Sequence, residues 1–260
     1  MFDSYRAKYD NVRMKREDGI LEVALHSRGG PLTFNGYVHE ALVGAFRDIG
    51  DDPENHVVIL TGTGDEFCAQ ITPDGFDFFT PTGYDKILRE GTKILENILD
   101  IQVPMIAAIN GPVSVHSEYV LLCDIVIAAE HAYFQDAPHP AFGIVPGDGL
   151  HVVWPEVIGE IRGRYFLLSG QKLSGASEGV WRGQRGRFSR SLASASVGIG
   201  STDEQAERSH VALHEDGALD TLSPQASGRV VVRTRARGYL CCAGGVAERA
   251  KSKRIRPLGG

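Results

Sequence analysis

The sequence has few cysteines, no long apolar run and no excess of basic residues. Its 260 residues include four cysteines, which are too few and too scattered for the disulfide framework of a small secreted domain. No apolar segment reaches the roughly 18 residues that a membrane-spanning helix needs, and the N-terminus lacks the basic and then apolar pattern of a secretory signal. The formal net charge of -6 argues against nucleic-acid binding through overall charge. These absences predict a reduced, cytoplasmic protein that binds neither membranes nor nucleic acid.

The charge is unevenly distributed along the chain. Residues 173–260 contain 14 Lys and Arg against 8 Asp and Glu, whereas residues 1–172 contain 13 against 25. A basic tail that binds nucleic acid is one explanation of such an asymmetry. The segment 173–260 is also rich in Ser, Arg, Gly and Ala and shows little sustained periodicity. It therefore differs in kind from the first 172 residues.

The first 172 residues show the hydrophobic pattern of an α/β fold. Residues 12–17 and 20–26 alternate in polarity on either side of Asp18-Gly19, which predicts a β-hairpin. Short apolar, β-branched runs predict buried parallel strands at 56–60, 103–109 and 124–129. Apolar residues at helical spacing predict helices over 37–49, 84–99 and 162–168. Because helix-length segments separate the strands, the pattern predicts a largely parallel sheet with right-handed crossovers.

The densest polar group of the sequence lies between residues 134 and 149. Two prolines flank His139, and a Pro-Gly turn immediately precedes Asp148, which predicts an imidazole and a carboxylate on two rigid loops nine residues apart. A carboxylate that accepts a hydrogen bond from one imidazole nitrogen fixes the tautomer and strengthens the other nitrogen as a base. The two residues therefore fit a water-activating dyad. Side chains that only brace a loop are the alternative.

Three further positions are candidates for a site. His116 follows the predicted strand 103–109, where open α/β sheets place their ligands, so it could donate a hydrogen bond to a carbonyl oxygen or serve a purely structural partner. Thr61-Gly62-Thr63-Gly64 lacks the third glycine and the helix of a dinucleotide fingerprint and predicts a turn. Cys68 has no His or Cys at metal-binding spacing, so a structural thiol is favoured and no metal site is predicted.

Several blocks of sequence carry a family resemblance. They lie at 57–62, 67–69, 104–111, 123–128 and 143–147. Their order and spacing resemble the crotonase (enoyl-CoA hydratase/isomerase) superfamily, from about residue 9 to about residue 172. The resemblance implies a crotonase-like α/β fold, the ββα spiral, in a catalytic core over residues 1–172. It also implies a homotrimer or a dimer of trimers.

The chain departs from that family where its chemistry would lie. Crotonases usually carry a Gly-Gly-Gly run followed by a catalytic Glu after the Asn-Gly, and here Val115-His116-Ser117 replaces that run. Their second catalytic Glu is replaced by His139, and Asp148 stands where they have a Gly-Gly pair. This pattern resembles the 6-oxocamphor hydrolase branch of the β-diketone hydrolases. That resemblance implies retro-Claisen cleavage of a cyclic or bicyclic β-diketone, with no metal or organic cofactor.

The resemblance also implies roles for individual residues. His139 with Asp148 would activate the water, and His116 would stabilise negative charge on a carbonyl oxygen. His39 matches a further polar site residue of the branch. The residues expected to contact the substrate are Phe34, which stands in place of a Trp, Phe76, which matches an aromatic wall of the pocket, and Ala69.

The family pattern stops after Leu173. Residues 179–186, back-translated and read from the second base, permit Ala-Tyr-Gly-Val-Val-Asn-Glu-Val, which resembles the block that the family has there. The sequence therefore predicts that a frameshift near residues 173–176 replaced the C-terminal third, so that residues 173–260 form a non-homologous tail, irregular or disordered. A divergent tail or a basic binding arm is the alternative.

Two rival functions follow from these alternatives. One is a hydratase or isomerase that acts on acyl-CoA, against which the absence of the two catalytic glutamates counts. The other is a non-catalytic product. It would be either a folding-impaired fragment, which lacks the C-terminal helices that cover the site and build the trimer in the family, or a nucleic-acid-binding protein that uses the basic tail.

Overall fold

The computed structural model describes residues 1–174, 199–200 and 210–211. In chain order its helices are α1 (Phe2–Tyr5), α2 (Gly36–Asp51), α3 (Pro81–Asp100), α4 (Glu118–Leu121), α5 (Pro138–Phe142), α6 (Leu150–Ile158) and α7 (Glu160–Ser169). Its strands are β1 (Val12–Glu17), β2 (Ile20–Leu25), β3 (Thr33–Phe34), β4 (Val57–Thr61), β5 (Gln70–Ile71), β6 (Met105–Ile109), β7 (Ile125–Ala128), β8 (Tyr133–Phe134), β9 (Leu173–Ser174), β10 (Ile199–Gly200) and β11 (His210–Val211).

A five-stranded sheet in the order β1-β2-β4-β6-β7 forms the framework. The hairpin of β1 and β2 is antiparallel, and the pairs β2–β4, β4–β6 and β6–β7 are parallel. The turn of the hairpin has Asp18 at φ 48° and Gly19 at φ 79°, the positive values that a two-residue turn of this kind requires. The carboxyl ends of β4 and β6 therefore lie at the same edge of the sheet, where the loops that carry the candidate site begin.

Helices α2 and α3 pack against each other and share one apolar core with the sheet. Asn35 caps α2 through its side chain, which accepts hydrogen bonds from two backbone N–H groups of the first turn. The Thr80 side chain caps α3 by accepting from the N–H of Gly83, and Pro81 at the first helical position presets its backbone angle. The buried face of α2 follows the helical period, with Val38, Leu42, Phe46 and Ile49 in the core.

The structure confirms the predicted α/β sheet and corrects one local prediction. Each predicted strand and helix is present, with bounds that differ by a few residues. His139, however, does not lie on a loop but in the short helix α5. Pro138 occupies its first turn, where a missing N–H is tolerated, and Gly143 ends it in the left-handed conformation at φ 66°.

The segment after residue 172 contributes little to the described part of the fold. Strand β9 pairs with β8, and β10 pairs with β11 in a separate two-stranded sheet. Residues 228–238, whose run of three valines favours an isolated strand, lie outside the described residues. The division at residue 172 stays a prediction. Among the described helices, none is both long and apolar enough to cross a bilayer.

Candidate active site

The loop that carries His116 is held by hydrogen bonds to three other segments. Asn110 ties the loops after β4 and β6 together, because its side chain accepts from the N–H of Gly62 and donates to the carbonyl oxygens of Gly64 and Glu66. The N–H groups of Ser114 and Val115 both donate to the carbonyl oxygen of Cys68. Further hydrogen bonds connect residues 113–114 with 133–137, at 2.8 to 3.0 Å. The chain therefore delivers His116 next to the segment that carries His139.

The carboxylate of Asp148 faces both of these imidazoles. Its Oδ2 atom lies 3.6 Å from Nε2 of His139 and 3.8 Å from Nδ1 of His116. Both distances exceed a direct hydrogen bond. Gly149, the next residue, has a φ of 109°, a backbone conformation that favours glycine. The structure thus brings together the three side chains that the sequence selected.

Each imidazole has a second carboxylate at hydrogen-bond distance. Oδ1 of Asp136 lies 2.8 Å from Nδ1 of His139, and Oε1 of Glu118 lies 2.6 Å from Nδ1 of His116. Asp136 and Glu118 are both buried. The hydrogen bond that the sequence analysis expected between His139 and Asp148 is therefore made by Asp136, which leaves Nε2 of His139 directed toward Asp148.

These carboxylates raise the pKa of both imidazoles. Burial alone would lower the pKa of His139, but the hydrogen bond to Asp136 and the charges of Asp148 and Asp136 outweigh it. Burial would also lower the pKa of His116. The charge and hydrogen bond of Glu118 outweigh this effect, and the charges of Asp148 and Asp136 add to them, so the pKa is raised overall. Both imidazoles are therefore more readily protonated in this cluster than a histidine is in water.

His39 occupies a different environment. Its Nδ1 lies 2.9 Å from Oε2 of Glu90 on α3, and its ring centroid lies 5.9 Å from that of His116. Burial, helped by the charges of His116 and Lys86, lowers the pKa of His39 to about 3. His39 is therefore a neutral imidazole at physiological pH, which suits a polar wall of the site better than acid–base chemistry.

The predicted substrate-contacting aromatic residues form an apolar wall beside the imidazoles. The ring of Phe34 is fully buried and lies 4.3 Å from that of His116, and Phe76 lies 5.7 Å from His39. Phe76 also lines a cavity of about 270 Å³, whose other lining residues include Lys86 and Glu90. Ala69 is half-buried next to Cys68, directly before β5. The lining residues of this cavity include Glu90, which contacts His39, but not His39, His116, His139 or Asp148 themselves.

Several buried polar atoms in this region have no partner among the described residues. They are Glu118 Oε2, Tyr119 Oη, Asp136 Oδ2 and Asp148 Oδ1. Unpaired buried oxygens are costly and rare, so their concentration here marks a place that accepts water or a ligand. His116, Glu118 and Asp148 offer atoms within 4.8 Å of one another that could hold a cation. The 2.6 Å contact to Glu118 already occupies Nδ1 of His116, so the geometry favours the carboxylate–imidazole pair.

Sequence reasoning missed Asp136, Glu118 and the buried hydrogen bond from Trp154 Nε1 to Ser117 Oγ, at 2.9 Å. Asp136 lies just before α5, three residues ahead of His139, so it becomes a candidate once the start of α5 is recognised. Glu118 directly follows the segment that replaces the Gly-Gly-Gly run, and its buried carboxylate lies beside His116.

Comparison with known proteins identifies the family. The profile of the enoyl-CoA hydratase/isomerase family matches residues 15–181. A solved β-diketone hydrolase from the cyanobacterium Anabaena sp. PCC 7120, bound to (S)-3-oxocyclohexyl acetic acid, is 47% identical, with a TM-score of 0.66 over 68% of this chain and 71% of that one. An enoyl-CoA hydratase/isomerase structure from Mycobacterium paratuberculosis is 26% identical, with a TM-score of 0.58 over 65% and 69%.

Curated relatives extend the same similarity. The probable peroxisomal enoyl-CoA hydratase 1 of Arabidopsis thaliana is 31% identical over 172 residues, 63% of this chain and 61% of the relative. The human chromodomain Y-like protein is 29% identical over 185 residues, 68% of this chain and 30% of the relative. The chain thus spans about a third of the chromodomain relatives and less than two thirds of the plant hydratase. The predicted crotonase fold is confirmed, and the chain belongs to the enoyl-CoA hydratase/isomerase family.

Proposed function

We propose that the chain hydrolyses a C–C bond of a cyclic or bicyclic β-diketone by a retro-Claisen reaction. The observation that carries the proposal is the position of two imidazoles on either side of the Asp148 carboxylate, at 3.6 Å and 3.8 Å. The 47% identity to a protein described as a β-diketone hydrolase supports the same substrate class. The small-molecule diketone is the proposed partner of the site.

His139 acts as the general base. With Nδ1 held by Asp136, its neutral form has a lone pair on Nε2, which faces Asp148. A water molecule to one side of these two atoms contacts both, because two atoms 3.6 Å apart can each lie at hydrogen-bond distance from the same oxygen. His139 removes a proton from this water while Asp148 orients it, and such general-base catalysis is typically worth about 10²–10⁴-fold.

His116 stabilises the negative charge that develops. The hydroxide formed by proton removal adds to one carbonyl carbon, and Nε2–H of His116 donates to the resulting oxyanion. The C–C bond then breaks, and its electron pair is taken up by the second carbonyl as an enolate. The first carbonyl becomes a carboxylic acid. The proton held by His139 returns to the enolate carbon, so one water is consumed and a keto acid is formed.

A second candidate is hydration of an acyl-CoA, which the similarity to enoyl-CoA hydratases and the buried carboxylate of Glu118 favour. Turnover of a bicyclic β-diketone and of crotonyl-CoA by the full chain separates the two. We expect diketone cleavage that is lost in His139→Ala, retained with EDTA and accompanied by little hydration of crotonyl-CoA. A frame-restored version is assayed in parallel, so that an inactive C-terminal third is distinguished from a wrong substrate. Crotonyl-CoA turnover without diketone cleavage in both versions would overturn the proposal.

A further inference from the structure

Glu118 is a buried carboxylate that the proposed mechanism does not use. It lies at the first position of α4 with its side chain inaccessible to solvent, and its Oε1 atom lies 2.6 Å from Nδ1 of His116. A carboxylate is seldom buried completely unless it is paired. Among the described side chains, His116 is the partner that Glu118 has, so the two groups form one unit.

The ring of His116 is fixed from several sides. It stacks on Tyr119 with a centroid distance of 4.8 Å and an interplanar angle of 2°, and Phe34 contacts it at 4.3 Å. The backbone of His116 has a φ of 51°, a conformation that non-glycine residues adopt only where the surroundings hold them. With Nδ1 bound to Glu118, the remaining nitrogen is Nε2, which has no hydrogen bond to any described residue.

We propose that Glu118 is a positioning residue that binds Nδ1–H of His116 and thereby presents Nε2–H to the carbonyl oxygen of the diketone. The inference rests on the proposed function and assigns to this reaction a residue that does not touch the substrate. Asp148 is a poorer candidate for the role, since its 3.8 Å distance from Nδ1 exceeds a hydrogen bond. Because Glu118 accepts from Nδ1–H, His116 has a proton on Nε2 only when it is doubly protonated, and the charge of Glu118 stabilises that form.

The charges around His116 agree with this role. The groups that face it are Glu118 from α4, Asp148 from the loop before α6, Asp136 after β8, His39 from α2 and His139 from α5. No Lys or Arg forms an ion pair with the three carboxylates among the described side chains. A protonated imidazole is therefore the cation available to the buried Glu118, and the pair stabilises the doubly protonated form of His116.

The test compares Glu118→Gln with the full, unaltered chain. The glutamine has nearly the same shape and its carbonyl oxygen still accepts from Nδ1–H, so the fold is expected to be retained while the charge is lost. We expect kcat for the diketone to fall about 10²-fold with little change in KM, in line with the loss of one oxyanion contact. The fall in kcat at high pH, which follows loss of a proton from His116, should also begin at a lower pH. Glu96→Gln, an exposed change of the same charge on α3, is the matched control.

Imidazole NMR provides a readout that does not depend on turnover. The His116 signal, identified by its loss in His116→Gln, should titrate at lower pH in Glu118→Gln than in the unaltered chain or Glu96→Gln. Glu118→Asp, which keeps the charge and shortens the side chain, should retain a raised titration yet lose kcat. An unchanged His116 titration in Glu118→Gln, or unchanged kcat, overturns the inference. Absent diketone turnover in all versions, the frame-restored chain included, refutes the proposed function instead, and the titration still decides whether Glu118 and His116 are coupled.

Discussion

Nδ1 of His139 lies 2.8 Å from Oδ1 of Asp136, three residues earlier in the chain. The same carboxylate oxygen also receives the backbone N–H of His139, at 3.4 Å. Asp136 therefore fixes both the backbone and the ring of the proposed base. Asp136 lies just before α5, so the contact depends on both that helix and the segment after β8.

Replacing Asp136 with Asn should lower diketone turnover strongly. The amide side chain no longer stabilises the imidazolium that forms when His139 accepts a proton, and it permits the tautomer that places the proton on Nε2. We expect a loss of kcat of about 10²–10⁴-fold, as for other carboxylates that orient a catalytic histidine. Steady-state kinetics with Asp85→Asn, an exposed position on α3, as control measures the effect. A loss smaller than tenfold would assign the orientation of His139 to Asp148 instead.

The rate should depend on pH in a bell-shaped manner. His139 must be neutral to accept a proton, and its pKa is raised, so kcat/KM should increase as the pH rises through a value above the usual 6.5 or so of a histidine. His116 must be protonated to donate from Nε2, so the rate should fall again at higher pH. Since the groups interact, the two limbs belong to the cluster. Asp136→Asn should move the acid limb to lower pH, and an unmoved limb would contradict the assignment of that limb to His139.

Phe34 should not tolerate the tryptophan that the β-diketone hydrolase resemblance places there. Its ring is fully buried among His116, His39 and Phe76, so a larger ring requires these neighbours to move. We expect Phe34→Trp to reduce the free energy of unfolding by about 1–3 kcal/mol, the usual cost of overpacking. Urea denaturation measures the loss. A variant as stable as the unaltered chain would mean that the wall has room for an indole.

Local patterns were sufficient to predict the sheet, because each strand has its own signal. Alternation around Asp18-Gly19 predicted the hairpin, and the short apolar runs predicted β4, β6 and β7 within a few residues. The two prolines around His139 were misleading, since proline breaks helices in their interior but is tolerated in the first turn. The site could be predicted only where its residues are close in sequence or belong to a family pattern. The contact of His39 with Glu90, 51 residues apart, depends on the packing of α2 on α3, which no local pattern specifies.

Arg16 should be important for stability rather than for activity. Its guanidinium lies 2.8 Å from Oδ2 of Asp52, whose side chain is fully buried and also accepts from Tyr5 at 2.9 Å. Removing the cation leaves a buried carboxylate without its charge partner, which typically costs about 3–5 kcal/mol. Arg16→Gln should therefore lower the urea midpoint strongly, whereas exposed Lys15→Gln should change stability by less than about 0.5 kcal/mol. Equal effects of the two substitutions would contradict the role of this buried pair.

The Asp52 carboxylate should make the free energy of unfolding depend on pH in the acidic range. Burial opposes its ionisation, but hydrogen bonds from Glu54 N–H, Tyr5 and Arg16 outweigh it and lower the pKa of Asp52. A lowered pKa contributes stability that is complete above the unfolded value, about 3.9, and is lost as the pH falls through the folded value. Unfolding free energies measured from pH 6 down to pH 2 should show this loss, and it should be smaller in Arg16→Gln. An equally large loss of stability at low pH in Arg16→Gln would contradict the assignment of that loss to the pair of Arg16 and Asp52.

The coding DNA decides the prediction for residues 173–260. The family profile ends at residue 181, a few residues beyond the proposed shift near 173–176, and out-of-frame GC-rich coding produces text rich in Arg, Ser, Gly and Ala. We expect sequencing around codon 175 to reveal the shift, and size-exclusion chromatography to give a trimer for the frame-restored version but not for the chain as it stands. Phe142, Val145, Ile161 and Leu168 are all more than 70% exposed, so the chain as it stands should also aggregate more readily. An intact frame whose homologous genes encode the same tail would exclude the shift, and the basic segment would then be tested as a nucleic-acid-binding arm by salt-dependent DNA binding.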